Sequence, residues 1–299
     1  MPIATFVFSL LLILSIQAGK DTPLTPKRLA DLIEQQRVKA DPLLVKFRIE
    51  FQPDQTLQTA LKEDRTPIWS ERMVAFEGRR QHCTSHTLTT KGQTEQETRM
   101  TAVFTGDRSL IRQGTVLRIQ NQKSPDCSMN EYTSGLMWPV TDQELQIASE
   151  QGARSSFLLA MLRKGDWLIN DRLEEEAGVA CQTITSRDGN RKIWLDPTQN
   201  YALIRVRLID PFPGFSLIDT RYGETEKVAE GMYLPRKIVS VCTLTDLQGH
   251  KLGQRTDILT VSEIKVGDLP TGLFELEPQA GDTVIDQISN KVSLIESDR

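Results

Sequence analysis

Residues 43–52 read LLVKFRIEFQ, and this stretch decides the fold. Leu43, Val45, Phe47, Ile49 and Phe51 alternate with Leu44, Lys46, Arg48, Glu50 and Gln52, the period of two that belongs to an extended strand with one apolar face. The alternation returns in Ile204, Val206 and Leu208 against Arg205 and Arg207, and in Ile258, Ile264 and Val266 against Glu263 and Lys265. Strands that are dry on one side only pack as antiparallel sheets covered on a single face.

Outward from these strands lie turn signals at hairpin spacing: Lys91-Gly92, Thr105-Gly106-Asp107, Asp188-Gly189-Asn190, Tyr222-Gly223 and Gln248-Gly249. They predict consecutive hairpins in an antiparallel meander, and a fold class that is mainly β (α+β). Ahead of the first strand, Thr25-Pro26 is an N-cap and first-turn pair. Leu29, Leu32 and Ile33 then follow at helical spacing as far as Gln36. Residues 155–164 gather Phe157, Leu158, Leu159, Met161 and Leu162 ahead of Gly165, which predicts a second helix. Being apolar on most sides, it has to be covered by the sheet or fill its concave face. A weaker helical stretch covers residues 142–151. No repeat or low-complexity tract divides the chain, so residues 19–299 are expected to form one domain.

The apolar run FVFSLLLILSI, residues 6–16, is followed by Gln17 and then by Ala18 and Gly19, small residues suited to cleavage near Ala18. Residues 1–18 thus read as a signal peptide, and the mature protein as soluble and either periplasmic or secreted. No Lys or Arg precedes the run, so a retained anchor stays open as the alternative. Export makes disulfides expected among Cys83, Cys127, Cys181 and Cys242. Of the three possible connectivities, Cys83 with Cys127 and Cys181 with Cys242 joins near neighbours on either side of the central helix. Four reduced, buried thiols are the alternative.

The net charge of -4, with both signs interleaved, offers no basic field for a phosphate backbone, so nucleic acid is not an expected partner. Glu174, Glu175 and Glu176 point in different directions and read as a solvated hairpin end rather than a cation site. His82, Cys83 and His86 have ligand spacing only on a helix. The surrounding run is strand-like, and at about 3.3 Å per residue the two histidines stand roughly 13 Å apart. There is no nucleophile elbow, P-loop, dinucleotide fingerprint or HExxH. The expectation is a protein with no catalytic residues, cofactor or metal. Trp69, Trp138, Trp167 and Trp194 read as core packing or edge closure before they read as a lipid or sugar platform.

Three C-terminal stretches follow one another: KIWLDPTQNYALIRVR (192–207), RYGETEKVAEGMYLPRKIVSV (221–241) and FELEPQAGDTVID (274–286). Their order resembles the secreted, planctomycete-type relatives of bacterial outer-membrane lipoprotein-sorting proteins, and covers residues 192–286. The resemblance implies the LolA/LolB/LppX-like fold, an incomplete, curved antiparallel β-barrel with a few helices closing its concave face. It implies a non-enzymatic carrier whose partner is a lipid or lipoprotein acyl chain. The residues expected to line the cavity are Phe47, Ile49, Ile204, Val206, Ile258 and Ile264 from the strands and Leu158, Leu159 and Leu162 from the second helix. A monomer is expected. The competing expectation is a sensory or structural module that offers the same sheet to an envelope protein.

Overall fold

The structure is a computed structural model and describes residues 24–60, 66–78, 80–91, 94–121, 162, 167–212, 214–246 and 248–296. The apolar run at residues 6–16, the stretch 142–151, Leu158, Leu159, Cys127 and Trp138 lie outside the described residues. So does the helix expected at 155–164, except for Leu162.

The strand expected at 43–52 is β1 (Leu43–Pro53), and it leads into β2 (Thr66–Glu77), β3 (Arg80–Lys91), β4 (Thr94–Phe104), β5 (Ser109–Gln113) and β6 (Val116–Gln120). Each pairs antiparallel with the next, the meander that the turn signals predict. A second meander runs through β7 (Trp167–Ile169), β8 (Glu174–Glu176), β9 (Val179–Ser186), β10 (Arg191–Asp196), β11 (Ala202–Phe212), β12 (Phe215–Ala229), β13 (Met232–Thr245) and β14 (Lys251–Val266). Pairing of β14 with β1 joins the two into one open, curved sheet. A last hairpin, β15 (Thr283–Asp286) and β16 (Lys291–Leu294), extends it, with β15 lying parallel to β6. The expected mainly β, incomplete-barrel architecture is the one observed.

The two faces of the sheet are buried differently. The inner face carries the largest core cluster, in which Val45, Phe47, Ile49, Leu259, Val261, Ile238, Tyr222, Leu203 and Ile193 pack together. The N-terminal helix (Pro26–Ala40) closes one end of this face with Leu29, Ala30 and Ala40. Its start is the expected one: Thr25 Oγ1 accepts from the Arg28 N–H at 3.2 Å, and the Thr25 carbonyl accepts from the Leu29 N–H at 2.9 Å. At its other end, Lys39 Nζ donates to the Glu230 carbonyl in the β12–β13 turn.

On the outer face, the segment after β14 crosses β1, β2 and β4. It packs Leu269, Leu273, Phe274 and Leu276 against Leu44, Met73, Ala75 and Val103. Arg112 fastens it by donating to the Glu277 carbonyl at 2.6 Å and to Asp282 at 2.7 Å.

One turn signal proves wrong. Tyr222 and Gly223 lie inside β12, opposite Ile238 and Lys237, and the chain reverses instead at Glu230-Gly231, where Gly231 has φ +69°. A lone glycine on a long strand reads like a turn, although a Cβ placed on Gly223 would meet nothing within 4 Å.

Candidate functional site

The inner face is the candidate site. Phe47, Ile49 and Leu162 lie fully within its cluster, at 3%, 3% and 1% exposure, and Val206 and Ile264 pack against them half-buried. The structure therefore brings together five of the residues expected to line the cavity, packed as a core.

Ile258 and Ile204 sit elsewhere, for one shared reason. On β14, Ile264 pairs with Val45, but the register slips between Lys46 and Phe47, so Val261 pairs with Phe47 and Leu259 with Ile49. This bulge reverses the alternation, and Leu259 rather than Ile258 faces the inner cluster. On β11, Val206 pairs with Ile193 while Leu203 pairs with Leu195, and the extra residue between them is Ile204. It turns to the outer face with Cys181 and Trp194, leaving Leu203 inside.

That part of the outer face is a lattice of charge. Arg205 donates to Asp219 at 2.8 and 2.5 Å and to Glu176 at 2.7 Å, and its guanidinium lies 4.9 Å from the centre of the Trp194 ring. Lys192 Nζ lies 5.0 Å from the same ring and donates to Glu174 at 2.7 and 2.8 Å. The Lys192 hydrogen bond is the largest of the effects that hold the Glu174 carboxyl below its usual range. The triplet lies in the expected hairpin, β8 paired with β9, but Glu174 and Glu176 are held by ion pairs and only Glu175 between them is exposed. Periodicity carried no sign of this, because partners 18 and 29 residues apart meet only through the sheet.

The expected pairing of Cys181 with Cys242 is corrected as well, while Cys127, the expected partner of Cys83, lies outside the described residues. Cys181 and Cys242 are free, buried thiols on β9 and β13, with three strands between them. At about 4.8 Å per strand this is roughly 19 Å along the sheet, against the about 4.4–6.8 Å between Cα atoms that a disulfide needs. Burial pushes the Cys181 thiol up to about 11, with Asp196 and Glu176 adding to the shift. Cys83 lies in the inner cluster.

His82 and His86 both lie on β3, the strand expected for them. His82 Nδ1 is hydrogen-bonded to the Leu273 carbonyl of the crossing segment, while His86 Nε2 meets Glu97 at 3.0 Å and its ring stands edge-on to Trp69 at 4.9 Å. Trp167 is buried in the inner cluster, in keeping with core packing. Among the described residues no group of His, Cys, Asp or Glu is placed to hold a metal ion. No described helix is long and apolar enough to cross a membrane.

Polarity changes along the inner face. Ile49, Leu259, Ile238 and Tyr222 form one row across β1, β14, β13 and β12. The next row, farther from the N-terminal helix, is Phe51, Asp257, Ser240, Thr220 and Val206, and beyond it stand Pro53, Arg255, Cys242 and Ile218. Arg255 donates twice to Asp257, at 2.7 and 2.8 Å, and lies 5.4 Å from the centre of the Phe51 ring. Thr220 and Ser240 share a hydrogen bond of 2.9 Å, and Ser240 and Cys242 a contact of 3.7 Å. The face is apolar under the helix and hydrogen-bonding at the far end.

No family model and no curated protein matches the chain. Solved structures do. The chain is similar to a LolA superfamily protein from Nitrosomonas europaea at 16% identity, covering 85% of this chain and 99% of that one with a TM-score of 0.42. It is similar to a putative outer membrane lipoprotein-sorting protein domain from Vibrio parahaemolyticus at 12% identity, covering 82% and 95% with a TM-score of 0.39. A third, LprF from Mycobacterium bovis, is 9% identical over 84% and 96%, with a TM-score of 0.29. None of these comparisons bears on the planctomycete part of the C-terminal resemblance.

Proposed function

We propose that this chain is a non-enzymatic binding protein of the cell envelope, exported by residues 1–18, whose single domain 19–299 holds a lipid or lipoprotein acyl chain against the inner face as a monomer. The observation that carries the reading is the continuous apolar lining from β1 through β14 to β10. Each buried methylene contributes about 0.8 kcal/mol, so ten of them give roughly 8 kcal/mol before the cost of association. Because Phe47, Ile49 and Leu162 are packed together, an incoming chain has to displace side chains of the cluster. Native mass spectrometry of the mature protein before and after organic extraction tests this. A lipid adduct lost on extraction supports it, and a ligand-free protein that also takes up no fluorescent acyl probe contradicts it.

A second reading, a protein-interaction module of the envelope, has its own support on the outer face. Val239, Ile258, Trp69 and Leu88 are half-buried and fall in one cross-strand row, interrupted by Glu50. Crosslinking in envelope extracts that captures one defined protein, and is lost in Trp69→Glu, favours this reading.

A further inference from the structure

We infer that the polar end of the inner face, formed by Thr220, Ser240 and the Arg255–Asp257 pair, receives the polar end of the ligand, and that this end is an uncharged ester or hydroxyl group such as an acylglycerol carries. The inference rests on the proposed acyl-binding function and adds the ligand's orientation and class.

The apolar rows run toward the closed end of the sheet, where Leu29, Ala40, Leu43 and Met232 meet. An acyl tail gains most by lying there. Its polar end then falls on the row of Asp257, Ser240 and Thr220. The Arg255 and Asp257 side chains are half-buried, at 25% and 19% exposure, and Thr220 beside them is buried.

The charge balance selects the chemistry. Arg255 gives both hydrogen bonds to Asp257, so the pair presents no net charge. A phosphate or carboxylate set beside it meets the Asp257 carboxylate, a like charge at short range. The hydroxyls of Thr220 and Ser240 each donate and accept, which suits an ester carbonyl or a free hydroxyl.

The test uses the mature protein and four fluorescent probes: a pyrene-labelled monoacylglycerol, the fatty acid and the lysophosphatidic acid of the same chain, and diphenylhexatriene, which has no polar end. The expected order places the monoacylglycerol about tenfold tighter than either acid. Thr220→Val lowers monoacylglycerol affinity about fivefold and leaves diphenylhexatriene unchanged. Asp257→Asn uncovers the Arg255 charge and raises affinity for the acids. Equal affinities for the three acyl probes, or tighter binding of an acid to the wild type, overturn the inference while leaving acyl binding intact. Failure of all four probes overturns the proposed function with it.

Discussion

Gly253 of β14 and Leu57 of the short helix Gln55–Ala60 touch so closely that no side chain fits between them: a Cβ on Gly253 would stand 2.6 Å from both the Leu57 Cβ and its backbone nitrogen. The contact is clamped by Asp54, whose carboxylate accepts from the Leu57 N–H at 2.7 Å and from the Gln254 N–H at 2.9 Å. Gly253 also has φ +153°, where only glycine is at ease. Gly253→Ala is therefore expected to cost on the order of 2–4 kcal/mol, read as a lower urea midpoint at unchanged slope. Gly249→Ala, at φ +87° with nothing within 4 Å of its Cβ, serves as the control for a positive φ without a clash.

The bulges make a sharper prediction. Leu259→Ala removes a side chain 4% exposed in the inner cluster and should cost about 2–5 kcal/mol, whereas Ile258→Ala, one residue away on the outer face, should cost roughly 1 kcal/mol. Urea unfolding of the two variants decides between the slipped register and the uninterrupted alternation of the sequence.

These two positions show what was legible and what was not. The alternation of residues 43–52 gave β1 and its apolar side, and Thr25-Pro26 gave the start of the N-terminal helix, because both signals are local. A bulge is a property of a strand pair, set by where β14 meets β1 and β11 meets β10, and so one strand's sequence could not report it. The pairing of β14 with β1, the parallel β15 and the ion pairs of Glu174 and Glu176 are non-local in the same sense. The polar end of the inner face escaped notice because Thr220, Ser240 and Asp257 come from three strands and adjoin only in the folded sheet.

His82 makes the crossing segment sensitive to acid. Burial is the largest influence on its pKa and lowers it, only partly opposed by the bond to the Leu273 carbonyl, and Nε2 is buried without a hydrogen-bond partner. The unfolded chain thus takes up a proton first. Stability contributed by neutral His82 is present above its unfolded pKa of about 6.5 and falls as the pH drops below it. Urea midpoints measured at pH 7.5 and pH 5 should fall further for the wild type than for His82→Gln, and equal losses would contradict this role.

The thiols give a direct chemical check. With Cys181 and Cys242 buried, free and raised in pKa by burial, iodoacetamide at pH 8 should leave both unmodified in the native protein. In urea without reductant both should be alkylated. Peptide mapping that finds Cys181 joined to Cys242 would overturn the strand placement of one of them.

The most direct test of acyl binding is photolabelling of the mature protein with a monoacylglycerol that carries a diazirine midway along its chain. Labels mapped by peptide sequencing are predicted on inner-face residues of β1 and β14, around Phe47, Ile49, Leu259 and Val261, and competed away by unlabelled lipid. Labels confined to outer-face residues such as Ile258 and Trp69, or none that compete, would contradict the account.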